Sequence, residues 1–352
     1  MLQTLQNEAI KLLQLLIETP SLSREERETA DLIFHFLEDH GIKAERQGNN
    51  VWAKSKNWQA GKPVLLLNSH HDTVKPAKGW QRDPFRATLE DDQLFGLGSN
   101  DAGASLVALM AAFRHCYEKE LAVNIIFAAT AEEEISGPNG IAALLPNLGK
   151  IDAAIVGEPT HMQMAIAEKG LMVIDGEAIG QSGHAAREEG VNALYIAIAD
   201  IEKIKNYQFE KISPVLGPCK ATVTQVQAGS QHNVVPDRCS FVIDVRTNEC
   251  YSNQEAFQLL DALTNSNLKA RSFRLNSSGI DLDHPLVISG LNLGKTSYGS
   301  PTLSDQALMS FPSLKMGCGD SARSHTADEY IYLSEIKAGI EDYIKLIEDL
   351  KW

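Results

Sequence analysis

Two apolar runs, "PVLLLNSH" at 63–70 and "AVNIIFAAT" at 122–130, constrain this chain more than any other feature. A strand with one face in water alternates apolar and polar residues, and these runs do not. They fit strands buried on both faces, which need helices above and below them. "AAIVGEP" at 153–159 is a third such run, and "ASLVALMAAFRHCYE" at 104–118 has helical spacing. The pattern predicts an α/β unit with a mostly parallel sheet and helices on both faces. Ahead of it, "MLQTLQNEAIKLLQLLIETP" reads as an amphipathic helix stopped by Pro20. "SREE" at Ser23–Glu26 has capping-box spacing for a second helix running to Gly41, and short strands are expected around Lys43 and Val51.

Near Gly170 the texture changes. "LMVIDGEAIG", "NALYIAIADIEKI", "CKATVTQVQAG", "CSFVIDVRT", "NQEAFQLLDAL" and "LKARSFRLN" alternate as strand, helix, strand, strand, helix, strand, the ferredoxin-like order. The expectation is a small α+β domain over 170–276 inserted into an α/β domain formed by 1–169 and 277–352. A length of 352 residues suits two domains.

The net charge of −14 argues against nucleic acid or an anionic membrane surface as partner, since both would repel the chain. The N-terminal stretch carries Glu8, Lys11 and Glu18 among its leucines and so reads as an amphipathic helix rather than a signal sequence, and no apolar run approaches the roughly 18 residues of a membrane span. Five cysteines without CxxC spacing fit a reducing compartment, so a cytoplasmic protein with buried structural thiols is expected.

In open α/β sheets, ligands bind where the strands end. Here the buried runs end in His70, His71 and Asp72, in Glu132, Glu133 and Glu134, and in Glu158, while the loop "GLGSND" offers Asp101 and "SARSHTADE" offers His325. Side chains alternate along a strand, so His70 and Asp72 share a face that His71 does not. Three glutamates directly after a buried strand crowd like charges, which is costly unless a cation or proton compensates. Histidine and carboxylate donors without cysteine suit zinc or a similar divalent ion, and the residues suffice for one ion or for two sharing a carboxylate. The glycines of "GLGSNDAGAS" have the wrong spacing for a dinucleotide loop, and no Lys-Ser/Thr pair follows.

Taken together, "SHHD", "GLGSND", "AEEE", "VGEPT", "GHAA", "HNVVPD" and "SARSHTADE" resemble, in order and over essentially the whole chain, the zinc-dependent amidohydrolase and exopeptidase family of acetylornithine deacetylase, succinyl-diaminopimelate desuccinylase, aminoacylase and carboxypeptidase G. The resemblance implies two divalent ions, zinc first, with cobalt or manganese as alternatives. His70 and Glu158 would bind one and Glu134 and His325 the other, with Asp101 shared and Asp72 orienting His70. Glu133 would be the general base, although the cluster begins with Glu132 where many members have Asp. His184 in "QSGHAA" would polarise the scissile carbonyl, from the neighbouring subunit in a homodimer joined through the inserted domain. Asn233 and Arg246 would hold the substrate carboxylate. "IAEKGLMV", "SPTLSDQALM" and "GCGDSARSHT" look most like deacylases of arginine and lysine biosynthesis. The implied activity removes an acetyl or succinyl group from ornithine or citrulline. Desuccinylase, aminoacylase or dipeptidase activity is the alternative, and a non-catalytic amino-acid-binding relative a third reading that would require a lost ligand.

Overall fold

The computed structural model describes residues 2–352, which divide into two compact units: 2–166 with 279–298 and 304–352, and 167–278 with 299–303. The first is built on strands β1 (Ala44–Gln47), β2 (Asn50–Lys54), β3 (Val64–His70), β4 (Asn124–Thr130) and β5 (Ala153–Val156). They lie in the order β1-β2-β4-β3-β5, followed by Ser313–Lys315 and then Met164–Glu168.

The apolar runs behave as their composition requires. Leu65 and Leu67 of β3 pack with Phe127 and Ile155 against helices α1 (Leu2–Glu18), α2 (Arg27–Asp39), α3 (Ala104–Cys116) and the late helix Leu333–Glu348. Leu66, one residue out of phase, packs with Ile126, Ala154, Leu144 and Leu148 on the other face. All seven residues of β3 and of β4 are buried. A leucine enclosed in this way contributes about 2 kcal/mol through removal of apolar surface from water.

Two sequence expectations need correction. The sheet is mixed, and a mostly parallel arrangement is limited to its centre. β4, β3, β5 and Ser313–Lys315 pair in parallel, whereas β1–β2, β2–β4 and the pairing of Lys315 with Ala165 are antiparallel, and among the described strands antiparallel pairings outnumber parallel ones. The reason at the β1 edge is local. β1 and β2 are joined only by Gly48, at φ +60°, and Asn49, and so tight a turn can join antiparallel strands only. The capping box at Ser23 also does not form: α2 starts at Arg27, Glu26 stands at its cap, and Ser23 turns its hydroxyl to Asp72.

The second unit has one four-stranded antiparallel sheet in the order Lys220–Ala228, Arg238–Thr247, Gly170–Ile179, Asn267–Ala270. Ile174, Phe241, Ile243 and Val245 meet Ala197 and Leu260 of its two helices, Ala193–Asn206 and Asn253–Leu263. Strand Lys220–Ala228 is an edge, mostly exposed along its length.

Candidate active site

β3, β4 and β5 run parallel in register, with His70 opposite Thr130 and Asn68 opposite Val156, so their carboxyl ends open on one edge. His70 is buried at the end of β3. Its Nε2 lies 3.4 Å from Asp101, 3.7 Å from Glu158 and 4.0 Å from Glu133. His325, at φ +59°, places its Nε2 3.0 Å from Glu134 and 3.5 Å from Asp101. Two donor triads result, His70–Asp101–Glu158 and Asp101–Glu134–His325, sharing Asp101.

Asp72 accepts from Ser23 Oγ at 2.7 Å and from the backbone N–H groups of Glu133 and Glu134 at 3.0 and 3.2 Å. His70 Nδ1 meets the backbone carbonyl of Asp72 at 3.0 Å and its carboxylate at 3.5 Å. Asp72 thus touches both the imidazole and the acidic turn. His71 points elsewhere: Nδ1 meets Thr29 Oγ1 and Nε2 the Asn49 carbonyl, each at 2.9 Å. Glu132 leaves the acidic cluster as well. At φ +55° its carboxylate takes hydrogen bonds from Asn139, which relieves the crowding expected of three adjacent glutamates.

The electrostatics are those of a buried acidic cluster. Burial, with the charges of Glu158, Asp305 and Glu134, lifts the Glu133 carboxyl well above the usual range against the pull of His70. Burial pushes Glu158 up to about 8. For His70 burial works against the charged form, yet Asp101 and Asp72 raise it well above a free imidazole. His70 Nε2 and Glu158 Oε1 are buried without a hydrogen-bond partner, both facing the same space. Two orphaned donor atoms among carboxylates, with a second imidazole–carboxylate set beside them, fit a pair of divalent cations.

Several residues of the site went unnoticed in the sequence. Asp305 accepts from Asn68 and Thr130 at 2.8 Å each, at the ends of β3 and β4, and burial pushes it up to about 6. It lies within "SPTLSDQ", but nothing in that string pairs it with Asn68. Glu329, four residues beyond His325, accepts backbone N–H groups of Gly98, Asn100 and Asp101. That carboxylate fills the anion-binding concavity that a glycine-rich loop can offer to phosphate. Ser324, next to His325, accepts from the Asn100 side chain at 3.3 Å.

Of the residues on the second unit, His184 and Asn233 come together on a short ribbon, where His184 pairs with Val234 and the Asn233 carbonyl accepts from the Ala185 N–H at 3.0 Å. Arg246 is engaged by Asp244, with contacts of 2.8 and 3.2 Å to its two oxygens.

An α/β unit whose strand ends carry two carboxylate–histidine triads, together with the second unit, defines a metal-dependent hydrolase. The chain belongs to peptidase family M20/M25/M40, whose model matches residues 66–349. It is 28% identical to the acetylornithine deacetylases of Salmonella typhimurium and Proteus mirabilis, over 97% of this chain and 98% and 96% of theirs. Among solved structures, aminopeptidase PepT of Bacillus cereus matches with a TM-score of 0.78 at 18% identity, covering 98% of each chain. A dinuclear metal-binding M20 peptidase of Bacillus subtilis matches with a TM-score of 0.77 at 17% identity, covering 99% of this chain and all of that one. These structural likenesses carry the fold. No described helix is long and apolar enough to cross a membrane.

Two outcomes test this geometry. His70→Ala loses bound metal by elemental analysis and activity with it, whereas His71→Gln keeps both. His71 is pushed down to about 4 by burial, so its neutral form is the stable one in the fold. The unfolded chain takes up the proton first as pH falls below about 6.5, and stability present above that pH is lost towards pH 4, by up to about 3 kcal/mol. Urea midpoints of the parent and His71→Gln will therefore converge as pH is lowered from 7 to 4.5.

Proposed function

We propose that this chain is a cytoplasmic N-acyl-amino-acid deacylase that removes an acetyl, or alternatively a succinyl, group from ornithine or citrulline. The observation that carries the chemistry is Glu133. Its side chain is 12% exposed, lies 4.0 Å from His70 Nε2, and belongs to neither donor triad, which leaves it free to move a proton. In this reading His70, Glu158 and Asp101 hold one cation and Asp101, Glu134 and His325 the other. Zinc suits the donors best, with cobalt or manganese as alternatives. When bound, such a pair lowers the pKa of water and polarises the acyl carbonyl. Glu133 then accepts the proton from the attacking water and delivers it to the amine as the C–N bond breaks.

Asp72 keeps two parts of the machinery in register, because one carboxylate touches His70 and the backbone of Glu133 and Glu134. His184 supplies a hydrogen bond to the oxyanion, from the second subunit of a homodimer. The exposed edge strand Lys220–Ala228, with Tyr195 and Ile198 exposed on the adjacent helix, supports such pairing. Asn233 and Arg246 hold the substrate α-carboxylate, and Arg246 must exchange Asp244 for it. Five unpaired cysteines agree with a reducing compartment. The choice of ornithine or citrulline rests on the 28% identity to acetylornithine deacetylases along the whole chain. Peptide hydrolysis is the second reading, favoured by the fold shared with aminopeptidase PepT and a staphylococcal tripeptidase.

A panel of N-acetyl and N-succinyl ornithine, citrulline, lysine and diaminopimelate, with dipeptides and tripeptides, separates the two. The highest kcat/KM is expected on an N-acyl ornithine or citrulline, and a preference for peptides overturns the assignment. Glu133→Gln keeps both metal equivalents and loses about 10²–10⁴-fold in kcat, the usual scale of a general base. Near-parental turnover by that variant would remove Glu133 from its role.

A further inference from the structure

The two donor triads are not supported alike. His70 and Glu158 sit at or just past the ends of buried parallel strands, whose pairing fixes them. Asp101 and His325 sit on loops. His325 is half exposed, and its described side-chain contacts are with Glu134 and Asp101 themselves, so the backbone of its loop must aim it.

Glu329 holds the first of these loops. It is 2% exposed, and one carboxylate oxygen accepts the N–H groups of Asn100 and Asp101 at 2.8 and 2.9 Å, the other that of Gly98 at 3.1 Å. Its own carbonyl accepts the Gly96 N–H at 3.0 Å. Asn100 in turn holds the second loop. Its amide nitrogen donates to the Asp320 carbonyl at 3.0 Å and to Ser324 Oγ at 3.3 Å, and its amide oxygen accepts the Asp320 N–H at 3.0 Å. Gly319 passes so close that a Cβ there would fall 2.2 Å from the Asn100 amide oxygen. The segment 319–329 therefore begins and ends on the 96–101 loop, with His325 between the two attachments.

We propose that Glu329, acting through Asn100, is a positioning residue that couples the Asp101 loop to the His325 loop and thereby builds the second cation position. The inference rests on the metal-dependent reading above and adds a residue to it. The chemistry favours a carboxylate here. Three converging N–H donors need three acceptor lone pairs, which an acceptor-only group supplies, whereas glutamine would turn its own NH₂ towards one of the donors. The described hydrogen bonds of Glu329 go to backbone and not to the metal-binding atoms of either triad, so it acts through the backbone of Asp101 and the path of the 319–329 segment, beside the through-space effect of its charge on Asp101 and His325, which Asn100→Ala leaves in place.

The test is stepwise metal titration of chelator-treated protein with Zn²⁺, and with Co²⁺ followed by its visible absorption, on the parent, Glu329→Gln and Asn100→Ala. The parent binds two equivalents. Glu329→Gln is expected to bind the second equivalent at least tenfold more weakly, with its Co²⁺ spectral change lost, and the first with a smaller loss, because His70 and Glu158 stay on their strand ends while the shared Asp101 loosens. Its kcat falls at least tenfold while KM stays within about threefold. Both equivalents binding at parental affinity in Glu329→Gln would overturn the proposal. If that variant does not fold, Asn100→Ala decides: it leaves the carboxylate in place, and a selective loss of the second equivalent supports the coupling, whereas two parental equivalents refute it. The titration uses metal alone. A parent that binds two equivalents yet hydrolyses no substrate of the panel would sink the deacylase reading and leave this one standing, and a parent without a second equivalent would sink this one.

Discussion

Everything around the site follows from one electrostatic constraint: Glu133, Glu134, Glu158, Asp101 and Asp305 are gathered near His70 at the ends of buried strands, where water screens little. Such a concentration of negative charge cannot persist uncompensated. Protons can supply the compensation, as the raised pKa values of Glu133 and Glu158 record. Cations can supply it too, and the two orphaned donor atoms give them a place. The fold thus stores an electrostatic demand at the place where a hydrolase needs Lewis acids and a base with high proton affinity.

The neighbouring structure keeps that demand from pulling the site apart. Asp72 and Glu329 each spend a buried carboxylate on backbone N–H groups of the segments that carry ligands. Glu26 does the same a layer further out, accepting the N–H of Glu132 at 3.2 Å and the Asn49 side chain at 2.8 Å. Charge-assisted hydrogen bonds to backbone are stronger and shorter than neutral ones, and they fix a loop without filling the space where substrate must enter. The supporting layer is acidic for a reason different from that of the centre: loops near strand ends present backbone N–H groups, and carboxylates accept them.

How far the sequence could be read depends on distance along the chain. Runs such as "PVLLLNSH" carry their own instructions, because burial on both faces is written in consecutive residues. The separation of His70 from His71 follows from the two-residue period of a strand. What the sequence hid is long-range. Ser23 looked like a helix cap because S-x-x-E is a local pattern, yet its partner Asp72 lies 49 residues away. Asp305 and Asn68 meet across 237 residues, and no local pattern announces such a pair. The antiparallel flanks are not written in the dense central runs, whose composition fits parallel pairing, whereas the two-residue turn at Gly48 imposes the opposite sense.

The grip of Glu329 on the Asp101 loop spans 228 residues of sequence. During synthesis the strand ends carrying His70 and Glu158 emerge early, and the α/β core can begin to pack around them. The 96–101 loop gains its Glu329 contacts only when residue 329 has left the ribosome, and until then Asp101, which both donor triads share, lacks that support. A protein loaded in this order would acquire hydrolytic competence as one of its last steps of folding, with the site itself reporting that the distant parts of the chain have found each other.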